Sequence, residues 1–88
     1  MELNVNRVYD LHEIFNDINR IIILIYLYDK MSSGREISKN TGISLTIVNH
    51  HLEYLRDRKV MKKDNNLYNI CDKHINKIIM HIKNYVIK

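Results

Sequence analysis

Residues that interrupt or cross-link a chain are scarce in this sequence. Proline is absent, glycine occurs only at Gly34 and Gly42, and the one cysteine is Cys71. A single cysteine excludes an internal disulfide framework, and without a Gly-, Pro- or Ser-rich stretch there is no candidate linker between domains. Because 88 residues suffice for one domain and are too few for two, we expect a single domain over residues 1–88.

Long hydrophobic runs and catalytic motifs are missing as well. The longest apolar run, Ile21–Leu27, is far shorter than the roughly 20 residues of a membrane-spanning helix, and the polar, acidic N-terminus does not resemble a signal peptide. No Gly-rich phosphate loop, carboxylate pair or nucleophile–base arrangement lies on a shared element. We therefore expect a soluble, cytoplasmic protein that is not an enzyme, needs no cofactor and has no membrane partner.

Positive charge is concentrated in the middle and at the C-terminal end of the chain. The formal net charge is +4, yet residues 1–29 have two basic against five acidic side chains. Residues 30–70 have eight basic against four acidic side chains, and residues 71–88 have four against one. A basic region of this kind favours contact with a polyanion such as nucleic acid.

Apolar residues at helical spacing predict helices at both ends of the chain. Residues 7–17 have the pattern of an amphipathic helix. Residues 19–30 are apolar on nearly every side, which is typical of a core helix that is covered on most sides. At the other end, Asp72 begins a last helix. Its apolar stripe consists of Ile75, Ile78, Ile79, Ile82 and Val86.

Two further helices are predicted in the middle of the chain. Ser33 and Glu36 have the spacing of a capping box, so a short helix is expected to begin at Ser33 and to end near Gly42. Ser44 is a good N-cap for a longer helix that runs to about Lys59. A short helix, a tight turn and a longer helix together form a helix-turn-helix.

The residue types at the crossing of these two helices support that interpretation. Ser38 is small where the helices cross, Gly42 lies at the turn four residues later, and Ile43 follows as an apolar plug. The second helix then needs a buried inner face. Ile37 on the first helix faces that side, which is formed by Val48, Leu52 and Leu55.

A β hairpin is predicted directly after the helix-turn-helix. Residues 60–63 and 67–70 flank Asp64-Asn65-Asn66, and Asn and Asp accept the positive φ of a hairpin turn. Residues 33–59 are therefore assigned to the helix-turn-helix and residues 60–70 to a wing. The predicted fold class is mostly α with a small β-hairpin wing, a winged helix-turn-helix in the order α-α-α-α-β-β-α.

The helix-turn-helix sequence, from Arg35 to Arg56, resembles the arsenic-repressor (ArsR) type of winged-helix regulator. In that family a Thr-Val-Ser-x-His-Leu-x-x-Leu run forms the recognition helix, and residues 47–55 here read Ile-Val-Asn-His-His-Leu-Glu-Tyr-Leu. Related small archaeal and viral winged-helix proteins and MarR-type regulators share much of this pattern. The resemblance implies a homodimer built by the terminal helices, residues 1–18 and 72–88, on a two-fold symmetric DNA operator.

The sequence also departs from the family pattern. Lys59 stands where a glycine usually precedes the wing, and the cysteine pair that some members use to sense metals is absent. His74 and His81 lie two turns apart on the last helix, but a zinc site needs more ligands than these, so we expect no metal site. Cys71 is expected to be a small buried residue and His51 a half-buried structural one.

Helix-turn-helix docking places the N-terminal part of the second helix in the major groove. Thr46, Asn49 and His50 are therefore expected to bond to base edges, and Leu45 to contact a thymine methyl group. Ser44 lies at the helix N-terminus, where free N–H groups suit a phosphate. Further phosphate contacts are expected from Arg35, Lys39, Arg56, Arg58, Lys62 and Lys63.

Apolar stripes on the two terminal helices predict a homodimer, because one small domain is not expected to bury both. The predicted interface consists of Leu11, Phe15, Ile75, Ile78, Ile79, Ile82 and Val86. The sequence as a whole predicts a regulator that binds double-stranded DNA sequence-specifically and acts as a repressor. One alternative is a protein–protein adaptor, which would have an apolar recognition face. The other is a metal- or redox-responsive switch that uses His74, His81 and Cys71.

Overall fold

The computed structural model describes residues 1–87 and contains five helices and one β hairpin. The predicted fold class and element order are confirmed, and the helix ends lie within three residues of the predicted ones. The helices are α1 (Val5–Ile14), α2 (Ile18–Asp29), α3 (Gly34–Thr41), α4 (Leu45–Asp57) and α5 (Lys73–Val86), and the hairpin strands are β1 (Met61–Asp64) and β2 (Leu67–Ile70).

Each helix begins at a polar side chain that accepts a hydrogen bond from a backbone N–H of the first turn. The capping box of α3 forms as predicted, since Ser33 Oγ accepts from the N–H of Glu36 and the Glu36 carboxylate accepts from the N–H of Ser33. Gly42 ends α3 with φ of 79°, a conformation that glycine adopts without strain. The N-caps are Asn4, Asp17, Ser33, Ser44 and Asp72.

The core surrounds α2, which is in contact with α3, α4, α5 and the hairpin. Ile23, Leu24 and Leu27 are buried along its inner side. Only Ile18, Ile22 and Asp29 are exposed, on one narrow side, so α2 is covered on most sides as its composition predicted. The other helices and the hairpin contribute Ile14, Ile37, Val48, Leu52, Leu55, Val60, Met61, Tyr68, Ile75 and Ile79.

The position of α5 corrects one part of the predicted dimer interface. Ile75 and Ile79 are buried in the core of the single chain, because α5 packs directly against α2. The prediction that these two side chains need a second copy for their burial is therefore wrong. Ile78 and Ile82 are half-buried against the same core, whereas Val86 is exposed.

The hairpin is antiparallel, with Met61 opposite Ile70 and Asp64 opposite Leu67. Asn65 and Asn66 have φ of 49° and 69° at its turn, as predicted from their tolerance of that conformation. The sequence did not predict a further pairing with Ser32, which precedes α3. The N–H of Tyr68 donates to the Ser32 carbonyl at 2.8 Å, and the N–H of Ser32 donates back at 3.2 Å. This pairing attaches the wing to the start of the helix-turn-helix.

A group of polar side chains attaches α4 to the N-terminus of α2. Asp17, the N-cap of α2, lies with Oδ1 at 3.5 Å from Nε2 of His51, which is buried rather than half-buried as predicted. The guanidinium groups of Arg20 and Arg58 each lie 3.7 Å from the ring centroid of Tyr54. Stacking of a guanidinium on an aromatic face is attractive, so these contacts fix the side of α4 that is turned towards α2.

We expect His51 to make the stability of the fold pH-dependent. Burial lowers the pKa of His51 below its ordinary value of 6.5, against the attraction of the Asp17 carboxylate. The unfolded chain therefore binds a proton that the folded chain excludes, and the free energy of unfolding should fall as the pH drops from about 7 to about 5.5, by at most about 1.4 kcal/mol per pH unit. Urea unfolding at several pH values measures this.

Two histidine variants provide the comparison for that measurement. His51→Gln removes the titrating group and should flatten the pH dependence in this range. His74→Gln changes an exposed histidine on α5 and should leave the pH dependence as it is. An unchanged pH dependence in His51→Gln would show that another group is responsible.

We expect Lys59→Gly to stabilise the protein. Lys59 follows α4 with φ of 61°, at the position where the ArsR-type pattern has glycine. The left-handed conformation costs a non-glycine residue about 1–2 kcal/mol in the folded state. A glycine avoids this cost, but it loses more conformational freedom on folding, which costs about 0.5–1 kcal/mol. The free energy of unfolding should therefore rise by about 0.5–1 kcal/mol in chemical denaturation. Lys62→Gly, the same change in strand β1, should lower it, and equal effects of both changes would contradict the argument.

Candidate nucleic-acid interface

The outward side of α4 carries all four residues predicted to contact bases. Leu45, Thr46, Asn49 and His50 are exposed, because Val48, Leu52 and Leu55 turn the opposite side of the helix into the core. Successive residues of a helix are separated by about 100°. Thr46 and His50 therefore point most directly away from the core, and Leu45 and Asn49 lie at the edge that borders α3.

A cleft of about 460 Å³ runs between the start of α3, the edge of α4 and the wing. It brings four predicted contact residues together, since Arg35, Leu45, Asn49 and Lys63 all line it. Asn66 from the hairpin turn lines it as well, although no sequence motif marks that residue as a contact. The two basic side chains come from different elements, and the Glu53 carboxylate of α4 lines the same cleft, so the edge of α4 lies beside charges of both signs.

The lack of a side chain at Gly34 leaves room for Asn49 within this cleft. Gly34 is buried at the start of α3, and a Cβ atom placed on it would lie 2.8 Å from Oδ1 of Asn49. Any larger residue at position 34 would therefore displace the Asn49 amide. The glycine allows the side chain to rest against α3 while it remains exposed to solvent.

The residues predicted to contact phosphate are divided between two environments. Lys39 and Lys62 are exposed, and Ser44 is exposed at the N-terminus of α4, with its Oγ accepting from the N–H of Ile47 at 3.3 Å. By contrast, Arg56 donates to the Glu53 carboxylate at 3.0 Å, and Arg58 is stacked on Tyr54. Arg56 and Arg58 thus already have protein partners.

Ile47 is an exposed residue of α4 that the sequence analysis did not select. It is 42% exposed in the first turn of the helix, on the other side of Thr46 from Leu45. Helical spacing was the signal that could have found it, because Ile47 lies outside the stripe formed by Val48, Leu52 and Leu55.

The residues considered for a metal or redox role lie on the surface. Cys71 is exposed and donates to the carbonyl of Lys59 at 3.4 Å, so the prediction that it is buried is wrong. His74 and His81 are exposed on α5. Within residues 1–87 there is no group of three or more His, Cys, Asp or Glu side chains that could hold a metal ion. Over the same residues, no helix combines the length and the hydropathy needed to cross a membrane.

Comparison with solved structures identifies similar folds. A predicted DNA-binding transcriptional regulator from Escherichia coli is 27% identical, with a TM-score of 0.81 over 92% of this chain and 90% of that one. The transcriptional repressor BigR from Xylella fastidiosa is 16% identical, with a TM-score of 0.83 over 96% and 90%. No family model and no curated protein sequence matches this chain.

A third solved structure links the fold to the ArsR type. It is the homodimeric winged helix-turn-helix DNA-binding domain of a possible ArsR-family transcriptional regulator from Mycobacterium bovis. That domain is 16% identical to this chain, with a TM-score of 0.75 over 92% of this chain and 79% of that one. Together with the order of elements and the geometry of α3, α4 and the wing, these matches show that the protein is a winged helix-turn-helix protein resembling the ArsR-type transcriptional regulators.

Proposed function

We propose that the protein is a transcriptional regulator that binds double-stranded DNA sequence-specifically as a homodimer. The observation that carries this proposal is the exposed side of α4, which presents Thr46, Asn49 and His50, with Asn49 in one cleft with Arg35 and Lys63. Neutral polar side chains can bond to base edges without the penalty of burying a charge, and the basic ones can bond to phosphate. The regulators with the same fold support this proposal.

In the proposed complex, the N-terminal half of α4 lies in the major groove. Thr46, Asn49 and His50 bond to base edges, and Leu45 contacts a thymine methyl group. The sugar–phosphate backbone is bound from the start of α3, the N-terminus of α4 and the wing. The proposed phosphate contacts are Arg35, Lys39, Ser44, Arg56, Arg58, Lys62 and Lys63.

A second copy of the chain is the proposed partner of the exposed apolar surface on the terminal helices. Ile14 is the residue by which α1 enters the core, whereas Val8 and Leu11 on the same helix are exposed. At the other end of the chain, Val86 is 53% exposed and Ile82 is half-buried. A two-fold interface here hides both surfaces and repeats the recognition helix at about one turn of DNA, roughly 34 Å.

The remaining members of the proposed interface differ in how much surface they can offer. Phe15 and Ile78 are half-buried and can lose further surface to a partner. Ile75 and Ile79 support the interface from beneath.

We further propose that the dimer acts as a repressor in the cytoplasm, by occupying promoter sites. BigR, which has the same fold, is described as a repressor.

DNA binding should be specific and strongly dependent on salt. If each dimer neutralises about 6–10 phosphates, the logarithm of the binding constant should fall with the logarithm of salt concentration at a slope of about −5 to −9. Fluorescence anisotropy with duplexes selected from a random pool measures both the specificity and the slope. If no duplex is bound at about 100 mM salt, DNA binding is excluded, and a protein–protein adaptor becomes the better account.

Two classes of variants separate base reading from phosphate binding in the same assay. Asn49→Ala and His50→Ala should each weaken specific binding by about 1–3 kcal/mol and leave non-specific binding nearly unchanged. Lys62→Ala and Lys63→Ala should weaken both kinds of binding and reduce the salt slope. Identical behaviour of the two classes would mean that α4 is not the reading element.

The dimer should be broken by a charge placed in the exposed apolar surface of the terminal helices. Leu11→Asp and Val86→Asp introduce an unpaired carboxylate into the proposed interface and should convert the protein to a monomer at micromolar concentration. Ile47→Asp is a matched control, since Ile47 is similarly exposed but lies on α4. Ile79→Asp is unsuitable because Ile79 belongs to the core. Sedimentation measures the mass, and a native protein that sediments as a monomer would refute the interface.

A further inference from the structure

The first two turns of α4 contain no Lys, Arg, Asp or Glu side chain. Residues 45–52 read Leu-Thr-Ile-Val-Asn-His-His-Leu, and Glu53 is the first charged residue of the helix. Arg and Lys are the side chains that bond to both guanine acceptors in the major groove, and carboxylates accept from the cytosine amine. The two ring nitrogens of a histidine point in different directions, so His50 cannot bond to both acceptors of one guanine as an arginine does. The groove-facing half of α4 therefore lacks the usual groups for reading G·C pairs.

Two apolar side chains are exposed at the same end of the helix. Leu45 is 36% exposed and Ile47 is 42% exposed, and they lie on either side of Thr46 in the first turn. The one apolar group that a base presents in the major groove is the methyl group of thymine. Contact with thymine methyl groups would remove both side chains from water.

Asn49 supplies the complementary hydrogen-bonding group one turn further along the helix. Its amide can donate to N7 of adenine and accept from the N6 amino group of the same base, and this pair of bonds specifies adenine. The absence of a Cβ at Gly34 leaves room for the amide at the edge of the cleft. A methyl contact and an adenine contact from neighbouring residues of one helix both specify A·T pairs.

We propose that the N-terminal half of α4 recognises A·T base pairs, with Leu45 and Ile47 in contact with thymine methyl groups and Asn49 bonded to adenine. This inference rests on the proposed function, which requires DNA binding and one thymine contact from Leu45 but assigns no particular base to Asn49 and no role to Ile47. It assigns a role in specificity to Ile47 and predicts that the central base pairs of each half-site are A·T.

Replacement of thymine by deoxyuridine tests the methyl contacts, because it removes the methyl group and keeps the pairing and the O4 acceptor. The 88-residue chain is first used to select duplexes from a random pool. Thymines in each half-site are then replaced singly by deoxyuridine, and affinity is measured by anisotropy. Loss of a contacted methyl group should weaken binding about fourfold, whereas replacement outside the half-sites should have no effect.

Variants assign each methyl contact to a side chain. Ile47→Ala and Leu45→Ala should bind more weakly to the thymine duplex, and the effect of deoxyuridine at the contacted position should disappear. Ile22→Ala is the matched control, because Ile22 on α2 is also partly exposed, at 38%, and should retain the full deoxyuridine effect. The deoxyuridine series on the native protein is decisive by itself if a variant fails to fold.

The outcomes distinguish this inference from the proposed function. Selection of A·T pairs in the half-sites, together with the loss on methyl removal, supports the inference. Specific binding to half-sites dominated by G·C, or binding that is insensitive to deoxyuridine, overturns the inference and leaves DNA binding intact. If no duplex is bound, both the proposed function and the inference fail.

Discussion

The packing of the domain against α2 determines which side of α4 faces solvent. Ile23 and Leu24 of α2 are fully buried, and the inner residues of α4 belong to the same core. At the N-terminus of α2, Asp17 faces His51 and Arg20 stacks on Tyr54, so the flank of α4 is fixed as well. The exposed positions of α4 thus follow from contacts made on its other sides. A change in the core would therefore alter the orientation of the exposed side of α4.

Charge is arranged around α4 rather than on its first two turns. The basic side chains of α3 and the wing flank the helix, while its first two turns are neutral. Phosphate contacts position a protein on a duplex, and base contacts provide specificity. Under the proposed function, this division lets a chain with a net charge of only +4 bind phosphate on either side of a neutral helix. The wing is held beside α3 because the backbone of Tyr68 pairs with that of Ser32 at the start of the helix-turn-helix.

Features that depend on nearby residues could be predicted from the sequence. The capping box at Ser33, the turn at Gly42 and the positive φ values of Asn65 and Asn66 are determined by a few neighbouring residues, and all are present. The exposure of Thr46 and His50 was predictable for the same reason. Helical spacing identifies the inner side of α4, and the remaining positions must face outward.

Features that depend on distant contacts were not predictable in the same way. Whether Ile75 and Ile79 face the core or a partner depends on how α5 packs on α2, and the stripe pattern is the same in both cases. Cys71 is exposed because of the path of the chain between β2 and α5, which its residue type does not determine. Pairing of Ser32 with Tyr68 joins residues far apart in sequence, and no local signal marks it.

The central claim is that α4 and the wing form the DNA-binding surface. Amide NMR spectra of isotope-labelled protein, recorded during titration with a selected duplex, test this claim residue by residue. We expect the largest changes in chemical shift for residues 44–50 of α4 and residues 62–66 of the wing, with small changes on the exposed side of α2. Changes confined to α1 and α5, with α4 and the wing unaffected by a bound duplex, would contradict the account.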